Sequence, residues 1–586
     1  MTKFSFNFCF FHLILILCPC YIKAGGSYSD LHPTSPEKSV IANLFEWRFD
    51  DIAEECETFL GPYGYAAVQV SPVLEYAVLN KPYYEPAAVR PWYERYQPVS
   101  YKIISRSGDE AAFINMVDRC NKAGVRVVVD LVLNHMTGAI DGVGTGGSQF
   151  KGQSDKSYPG VPFDQSNFNS KEKCGSSDGS IQDYNNPSQV RNCELSGLHD
   201  LDTGNEHVRT AQRDAVNRLI DIGVAGFRMD ASKHIWPGDI KAIFDGVHNL
   251  NTTYFPANSR PILCHEVIPG GAVTMKEYTP LGRVLEFDYR TSIVDVFRGY
   301  NGQKLRWLKN FGEGWSFVKS GDAVPMVDNH DLQRSEVYRG INFRSSRLYK
   351  LANAFMLAWP YGIPNVMSSY DWPTDMQGDV DKNKYMGPPA DDQQNIKHVV
   401  RKSDLSCEAP WVCEHRFKPI YSMVKFRAVA GDEPVADWWD NSNNAIAFSR
   451  GSKAFVFINN EQNSITQTFQ TSLPEGTYCD IITGDEKDGS CTGKTVQIDS
   501  SGKTTLTIDG SKDENPIIAI HIGSKVKTMS SHTESPKTEA PKTEAPKTEA
   551  PKTESESHQD KVADDKAILD HCAVCFQSLN KRKVDL

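Results

Sequence analysis

Short, almost uninterrupted apolar runs alternate with stretches of helical spacing from about Val40 to Arg427, and this alternation constrains the fold more than any other feature of the chain. Residues 66–70, 125–132, 224–229, 261–265 and 323–327 read as strands. They are apolar at nearly every position, as strands covered on both faces must be. Residues 110–122, 207–222 and 345–358 carry apolar positions at helical spacing. Alternation of this kind predicts an α/β fold, a (β/α)₈ barrel spanning 25–133 and 202–433.

Two segments depart from the rhythm. Residues 134–201 are rich in Gly, Ser, Asn and Asp and follow a strand directly. They read as a small domain inserted into a βα loop, on the face where barrels place their catalytic groups. Over 434–524 the pattern becomes short alternating runs, at 445–448, 454–458, 466–469, 504–508 and 517–522, separated by turn residues. That predicts a C-terminal antiparallel β-sandwich. Beyond it, Pro-Lys-Thr-Glu recurs at Pro536, Pro541, Pro546 and Pro551. Regular proline and alternating charge cannot build a core, so 525–563 is expected to be an extended linker. It leads to a short tail, 564–586, holding Cys572 and Cys575, too few ligands for a metal site.

The other end of the chain predicts the compartment. Lys3, an apolar run from Phe4 to Tyr21 and Ala24 before Gly25-Gly26 describe a secretory leader over 1–24. The apolar core is shorter than the ~20 residues a membrane span needs, and no later run is long enough, so a soluble, secreted chain is expected. The 14 cysteines suit an oxidising destination. Cys9, Cys18 and Cys20 leave with the leader. Cys174 with Cys193, Cys407 with Cys413 and Cys479 with Cys491 are near neighbours in loop-like sequence, suited to short-range disulfides. Cys56 and Cys120 lie on two helix-like segments and can pair at long range. Cys264, inside an apolar strand, reads as a buried thiol. A net charge of −11 argues against nucleic acid and suits a neutral partner such as sugar.

Chemistry shows where the apolar runs stop. Val127 to Asp130 continues to Asn134-His135; Gly226-Phe227-Arg228-Met229-Asp230 continues to Lys233-His234; Cys264-His265 meets Glu266; Val327 meets Asp328-Asn329-His330-Asp331. One such strand end is as readily a helix cap or a satisfied core polar group. A series of them, in a fold that gathers its strand ends at one cavity, reads as an active site. Arg228 and Asp230 are two residues apart, so an extended strand points both to one side, where the arginine favours an ionised Asp230. Glu266, among apolar neighbours, is the better candidate for a raised pKa. Such a contrast suits a site that needs one carboxylate ionised and another protonated.

These blocks resemble the signature regions of the α-amylase family of glycoside hydrolases. Leu44-Phe45-Glu46-Trp47-Arg48, the run Arg90 to Pro98 and Trp236-Pro237-Gly238-Asp239-Ile240 resemble its animal-type members. The resemblance covers about Val40 to Ser524. It implies endohydrolysis of α-1,4-glucosidic bonds in starch, glycogen and maltooligosaccharides by a monomer, with Asp230 as nucleophile, Glu266 as acid/base and Asp331 as transition-state stabiliser. It implies sugar contacts from Trp92, Tyr93, Tyr96, Gln97, His135, Arg228, Lys233, His234 and His330. It also implies a structural calcium ion, held by the side chains of Asn134 and Asp200 and the backbone carbonyls of Arg191 and His234.

The chain departs from the family pattern in places. Arg228 and Asn329 match two chloride ligands of many animal members, but Asn365 stands where a second arginine is usual, so little or no chloride activation is expected. The Gly-rich loop usual after the last signature is replaced by Asp331-Leu332-Gln333-Arg334-Ser335, and Lys384 stands where an acidic residue is usual. Another α-glucan-active enzyme of the family, or a non-catalytic glucan-binding accessory protein, are the alternatives. Such accessory proteins usually lose a carboxylate, and this chain keeps all of them.

Overall fold

The computed structural model describes residues 28–80 and 89–527. The expected leader, the linker beyond Lys527 and the Cys572/Cys575 tail lie outside the described residues. The central sheet has 8 strands: β1 (Ile41–Leu44), β2 (Ala67–Val70), β3 (Arg126–Val132), β4 (Gly226–Asp230), β5 (Ile262–His265), β6 (Arg283–Leu285), β7 (Ala323–Val324) and β8 (Asn365–Ser368). Its order is β7-β6-β5-β4-β3-β2-β1-β8, parallel throughout. A further parallel bridge from Met326 to Asn365 joins the two edges and closes the barrel.

Strand parity explains the continuous apolar runs. Ile41, Ala67, Val128, Ile262, Cys264, Val324 and Met326 form one buried cluster inside the barrel. Their sequence neighbours Ala42, Val68, Val127, Val129, Leu263 and Ala323 belong to the larger core outside it, with helices such as α1 (Glu110–Lys122), α2 (Glu206–Ile222) and α3 (Ser346–Ala358). Both faces of each strand are therefore dry. Continued towards the strand ends, the inward parity passes from apolar to polar: Asn43, Gln69, Asp130, Arg228, Asp230, Glu266 and Asp328 follow in step, all buried. Gly226 lets β4 lie close to β5, because a Cβ there would meet the Ile262 carbonyl oxygen at 2.1 Å.

The expected strand 323–327 stops at Val324, because Pro325 has no N–H for the ladder. β1, β6 and β8 are only 3 or 4 residues long and carry no run that marks them; pairing on either side makes them strands.

The insertion leaves and rejoins the barrel through one antiparallel pair, His135–Gly138 with Leu198–Asp200. Its core of Met136, Phe150, Tyr158, Phe163, Phe168 and Leu201 is shared with Ala77, Leu79 and Val99, from a second excursion between β2 and α1. Buried Glu75 ties the two together, accepting from the backbone of Gly146 (2.8 Å) and Ser148 (3.0 Å) and from the Ser148 hydroxyl (2.7 Å). Disulfides join Cys56 to Cys120, Cys174 to Cys193, Cys407 to Cys413 and Cys479 to Cys491, and Cys264 is a buried free thiol.

The C-terminal region has one antiparallel sheet in the order β9 (Val435–Asp440), β10 (Ala445–Arg450), β11 (Ala454–Asn459) and β16 (Ile517–His521). It faces the pairs β12 (Ser464–Gln470) with β15 (Lys503–Asp509) and β13 (Gly476–Cys479) with β14 (Thr495–Ile498). Ala445, Ala447, Phe455 and Phe457 point into this sandwich. Ile446, Phe448, Val456 and Ile458 point the other way and join the barrel core. At that joint, buried Arg450 donates to the carbonyls of Ala358 (2.7 Å), Glu433 (2.7 Å) and Gly431 (2.6 Å).

Candidate active site

The polar layer at the strand ends centres on Arg228. Its Nη1 donates to Asp130 and to Asp230, each at 2.7 Å, and its Nη2 to Glu266. Strand register sets this up: β4 and β3 pair with Arg228 opposite Asp130. Tyr96 donates its hydroxyl to the other Asp130 oxygen at 2.9 Å. The second Glu266 oxygen accepts the Ala231 N–H at 2.8 Å, on the left-handed residue (φ 50°) where the chain turns out of β4. Asp331 stands at the end of the segment following β7; its side chain is 40% exposed, against 9% for Glu266 and 10% for Asp230. Burial pushes the Glu266 carboxyl up to about 8, with the charges of Asp230 and Asp331 adding and Arg228 opposing. Asp130, also buried, is pushed up to about 7.

Rings wall the site. Tyr96, His330, Phe45 and Tyr370 stack face to face, with successive centroids 5.3, 4.8 and 6.1 Å apart and planes within 16°. Burial, with Arg228 and Arg334 nearby, holds His330 well below the usual histidine range, so it is neutral. Its Nε2 lies 3.2 Å from an Asp331 oxygen. Trp92 stands edge-on to His330 and anchors its indole N–H on the Lys384 carbonyl at 3.0 Å. Tyr93, half-buried, meets Tyr385 edge-on. Of the expected stacking platform, Trp92 and Tyr93 are partly open, whereas Tyr96 is buried; its place in the ring stack and its bond to Asp130 turn it inward. Gln97 accepts from the Gly138 N–H at 3.1 Å, and His135 bonds the Tyr96 carbonyl at 2.9 Å, so both link the aromatic loop to the insertion.

Lys233 donates to the carbonyls of Ile268 (2.9 Å) and Gly270 (2.8 Å), with its ammonium 5.2 Å from the centre of the Tyr184 ring. Tyr184 and Ile268, 37% and 50% exposed, therefore form an apolar rim beside Lys233. Ile268 could have been found from its position two residues past Glu266. Tyr184, in the middle of the polar insertion, carries no sequence signal. Asp130 ends an apolar run, but its role depends on Tyr96, far away in sequence.

A second polar group lies where the insertion meets the barrel. Leu201 N–H donates to the Asn134 carbonyl at 3.0 Å, and Asp200 pairs with His135. His234 bonds the Val190 carbonyl at 2.8 Å, bringing Arg191 alongside. One Asp200 oxygen accepts from Asn169 at 2.6 Å; the other is buried with no hydrogen-bond partner. A buried carboxylate oxygen in that state needs a cation or water. Helix Pro187–Asn192 ends one residue beyond Arg191, so the Arg191 carbonyl has no helical N–H to accept from. Among the described residues no group of at least 3 His, Cys, Asp or Glu side chains could hold a metal. The donors here are instead one carboxylate, an amide and carbonyls, a set that fits a hard cation.

A barrel with carboxylates converging at its strand ends is the architecture of a barrel glycoside hydrolase, and comparison with known proteins narrows the class. Residues 64–368 match the family described as Alpha amylase, catalytic domain, and residues 436–522 match Alpha amylase, C-terminal all-beta domain. An alpha-amylase of Dermatophagoides pteronyssinus is 51% identical over 496 residues, covering 83% of this chain and 98% of the mite protein. Human pancreatic alpha-amylase is 48% identical, covering 86% of this chain and 98% of its own. The solved structure of wild-type alpha-amylase I from Eisenia fetida superposes with a TM-score of 0.80 at 45% identity, covering 85% of this chain and 99% of the other. The chain belongs to the α-amylase family.

Proposed function

We propose that the chain is a secreted, endo-acting α-amylase that cleaves α-1,4-glucosidic bonds in starch, glycogen and maltooligosaccharides with retention of configuration. The observation that carries this reading is Arg228, bonded at once to Asp230 and Glu266. Carboxylates on two ends of one guanidinium are held close, which favours the ~5–5.5 Å pair of a retaining enzyme over the wider inverting pair. Glu266, kept protonated by burial, gives its proton to the leaving glycosidic oxygen as Asp230 attacks the anomeric carbon. The glycosyl ester on Asp230 is then hydrolysed by water, whose proton returns to Glu266. Asp331, more exposed, holds sugar hydroxyls and favours the cation-like ring. Neutral His135, His234 and His330 can bond hydroxyls without adding charge, and Trp92 and Tyr93 offer ring faces to sugar.

Asn134, Asp200 and the carbonyls of Arg191 and His234 would hold calcium, which would neutralise the Asp200 charge and clamp the insertion beside the cleft. Chloride has little to bind. Arg228 is engaged by three carboxylates, and Asn365 donates to Gln69 at 2.8 Å. Adding chloride to dialysed enzyme is expected to leave activity nearly unchanged. Secretion is supported by the disulfides, and among the described residues no helix is long and apolar enough to cross a membrane.

The test is starch hydrolysis by wild type and Asp230→Asn, with the product anomer followed by NMR. The α-anomer should appear first, and the variant should lose activity on the order of 10⁴-fold. A first-formed β-anomer, or an active variant, overturns the mechanism.

A further inference from the structure

Arg334, three residues past Asp331, is an unusual cation. It is 3% exposed, yet no carboxylate is bonded to it. Its Nη1 donates to the His330 carbonyl at 2.7 Å, while Nε and Nη2 are buried with no hydrogen-bond partner. In place of a counter-ion it has rings: its guanidinium carbon lies 4.4 Å from the Trp372 centroid, 5.1 Å from Tyr370, 5.2 Å from Phe45 and 5.2 Å from Trp92. Ring faces stabilise a cation, more so when it is desolvated, but they do not cancel its charge. The positive field is therefore felt by whatever lies beside it. Phe45 is also the ring on which His330 stacks, and Trp92 stands edge-on to that histidine.

We propose that Arg334 is a positioning residue of the active site: its guanidinium clamps the turn that carries His330 and Asp331, and its uncancelled charge favours ionised Asp331 and neutral His330. The inference rests on the roles given above to those two residues. The charged and titratable groups around it are Asp331 and His330 on its own segment, Arg228 across the cleft, the Tyr370 hydroxyl, Arg344 on Trp372 with its partner Asp371, buried Asp381, which accepts the Trp372 indole N–H at 2.7 Å, and Glu46 with its partner Arg95. Glu46 and Asp371 are each already bonded to another arginine. Burial raises the affinity of Asp331 for a proton, and the charges of Arg228 and Arg334 both oppose that rise.

The test is the pH dependence of kcat and KM on a soluble maltooligosaccharide for wild type, Arg334→Met, Arg334→Lys and Asp331→Asn. Arg334→Met should lower kcat about tenfold or more, with KM changed less than about twofold, and move the acid limb up by about one pH unit. Arg334→Lys should leave the acid limb in place, because the charge is kept, and still lose kcat, because the fork on the His330 carbonyl is altered. An acid limb unmoved in Arg334→Met, or moved equally in Arg334→Lys, overturns the proposal, because a merely structural arginine predicts those results. If Arg334→Met does not fold, Arg334→Lys decides: wild-type kcat overturns the clamp, and reduced kcat with an unmoved limb supports it. A fully active Asp331→Asn instead overturns the assignment of Asp331 on which the inference stands.

Discussion

One arginine touches both Asp230 and Glu266, yet burial and the neighbouring acids raise the affinity of Glu266 for its proton. The general acid must be protonated, so activity should fall as pH rises through about 8, and the alkaline limb of kcat/KM is the measurement. The same shift predicts stability. The folded value is raised from 4.5 to about 8, so the folded chain holds a proton that the unfolded chain gives up; stability is present below 4.5 and is lost as pH rises to about 8. Glu266→Gln removes that loss. Its Tm should match wild type under acid conditions, exceed it by a few degrees at about pH 8, and come with near-complete loss of activity. At this scale much was legible in the sequence. Parity alone placed Arg228 beside Asp230, and apolar neighbours marked Glu266. Tyr96 was not, because an aromatic flanked by Arg, Glu and Pro reads as exposed, and only its bond to Asp130 and its stacking on His330 turn it inward.

Among elements, the insertion depends most on cross-links. At its base one short pair, His135–Gly138 with Leu198–Asp200, holds its two ends together, and Cys174–Cys193 closes a separation of 19 residues. Replacing both cysteines by alanine should lower the stability of that segment by about 3 kcal/mol, seen as proteolysis within 150–200 before the barrel is cut. A calcium chelator should produce the same cleavage in wild type, by leaving Asp200 buried and uncompensated. In Asp200→Asn the chelator should add little. The insertion showed in the sequence as a break in composition, and helices such as α1 showed by spacing. The excursion that shares the insertion's core did not show, because Ala77, Leu79 and Val99 lie in short runs without a sustained period and meet Phe150 and Tyr158 only in three dimensions. Strands β1, β6 and β8 were hidden for a related reason: each has 3 or 4 residues and no longer apolar run to mark it.

At the scale of the whole molecule, barrel and sandwich share a wall. β10 and β11 are buried on both faces, so their outward positions complete the barrel core. Phe448→Ala should cost about 3–5 kcal/mol and lower a single unfolding transition by calorimetry, without splitting it in two. The sandwich strands were legible by their alternation, but which face met the barrel was not, since apolar residues occupy both. The ring stack of Tyr96, His330, Phe45 and Tyr370 carries a consequence for biosynthesis. Its members follow β2, β7, β1 and β8, so it joins the first strand of the barrel to the last. A ribosome delivers Phe45 early and Tyr370 hundreds of residues later. The wall of the cleft cannot assemble before the seam closes, so this part of the site is completed only after the last barrel strand has been made.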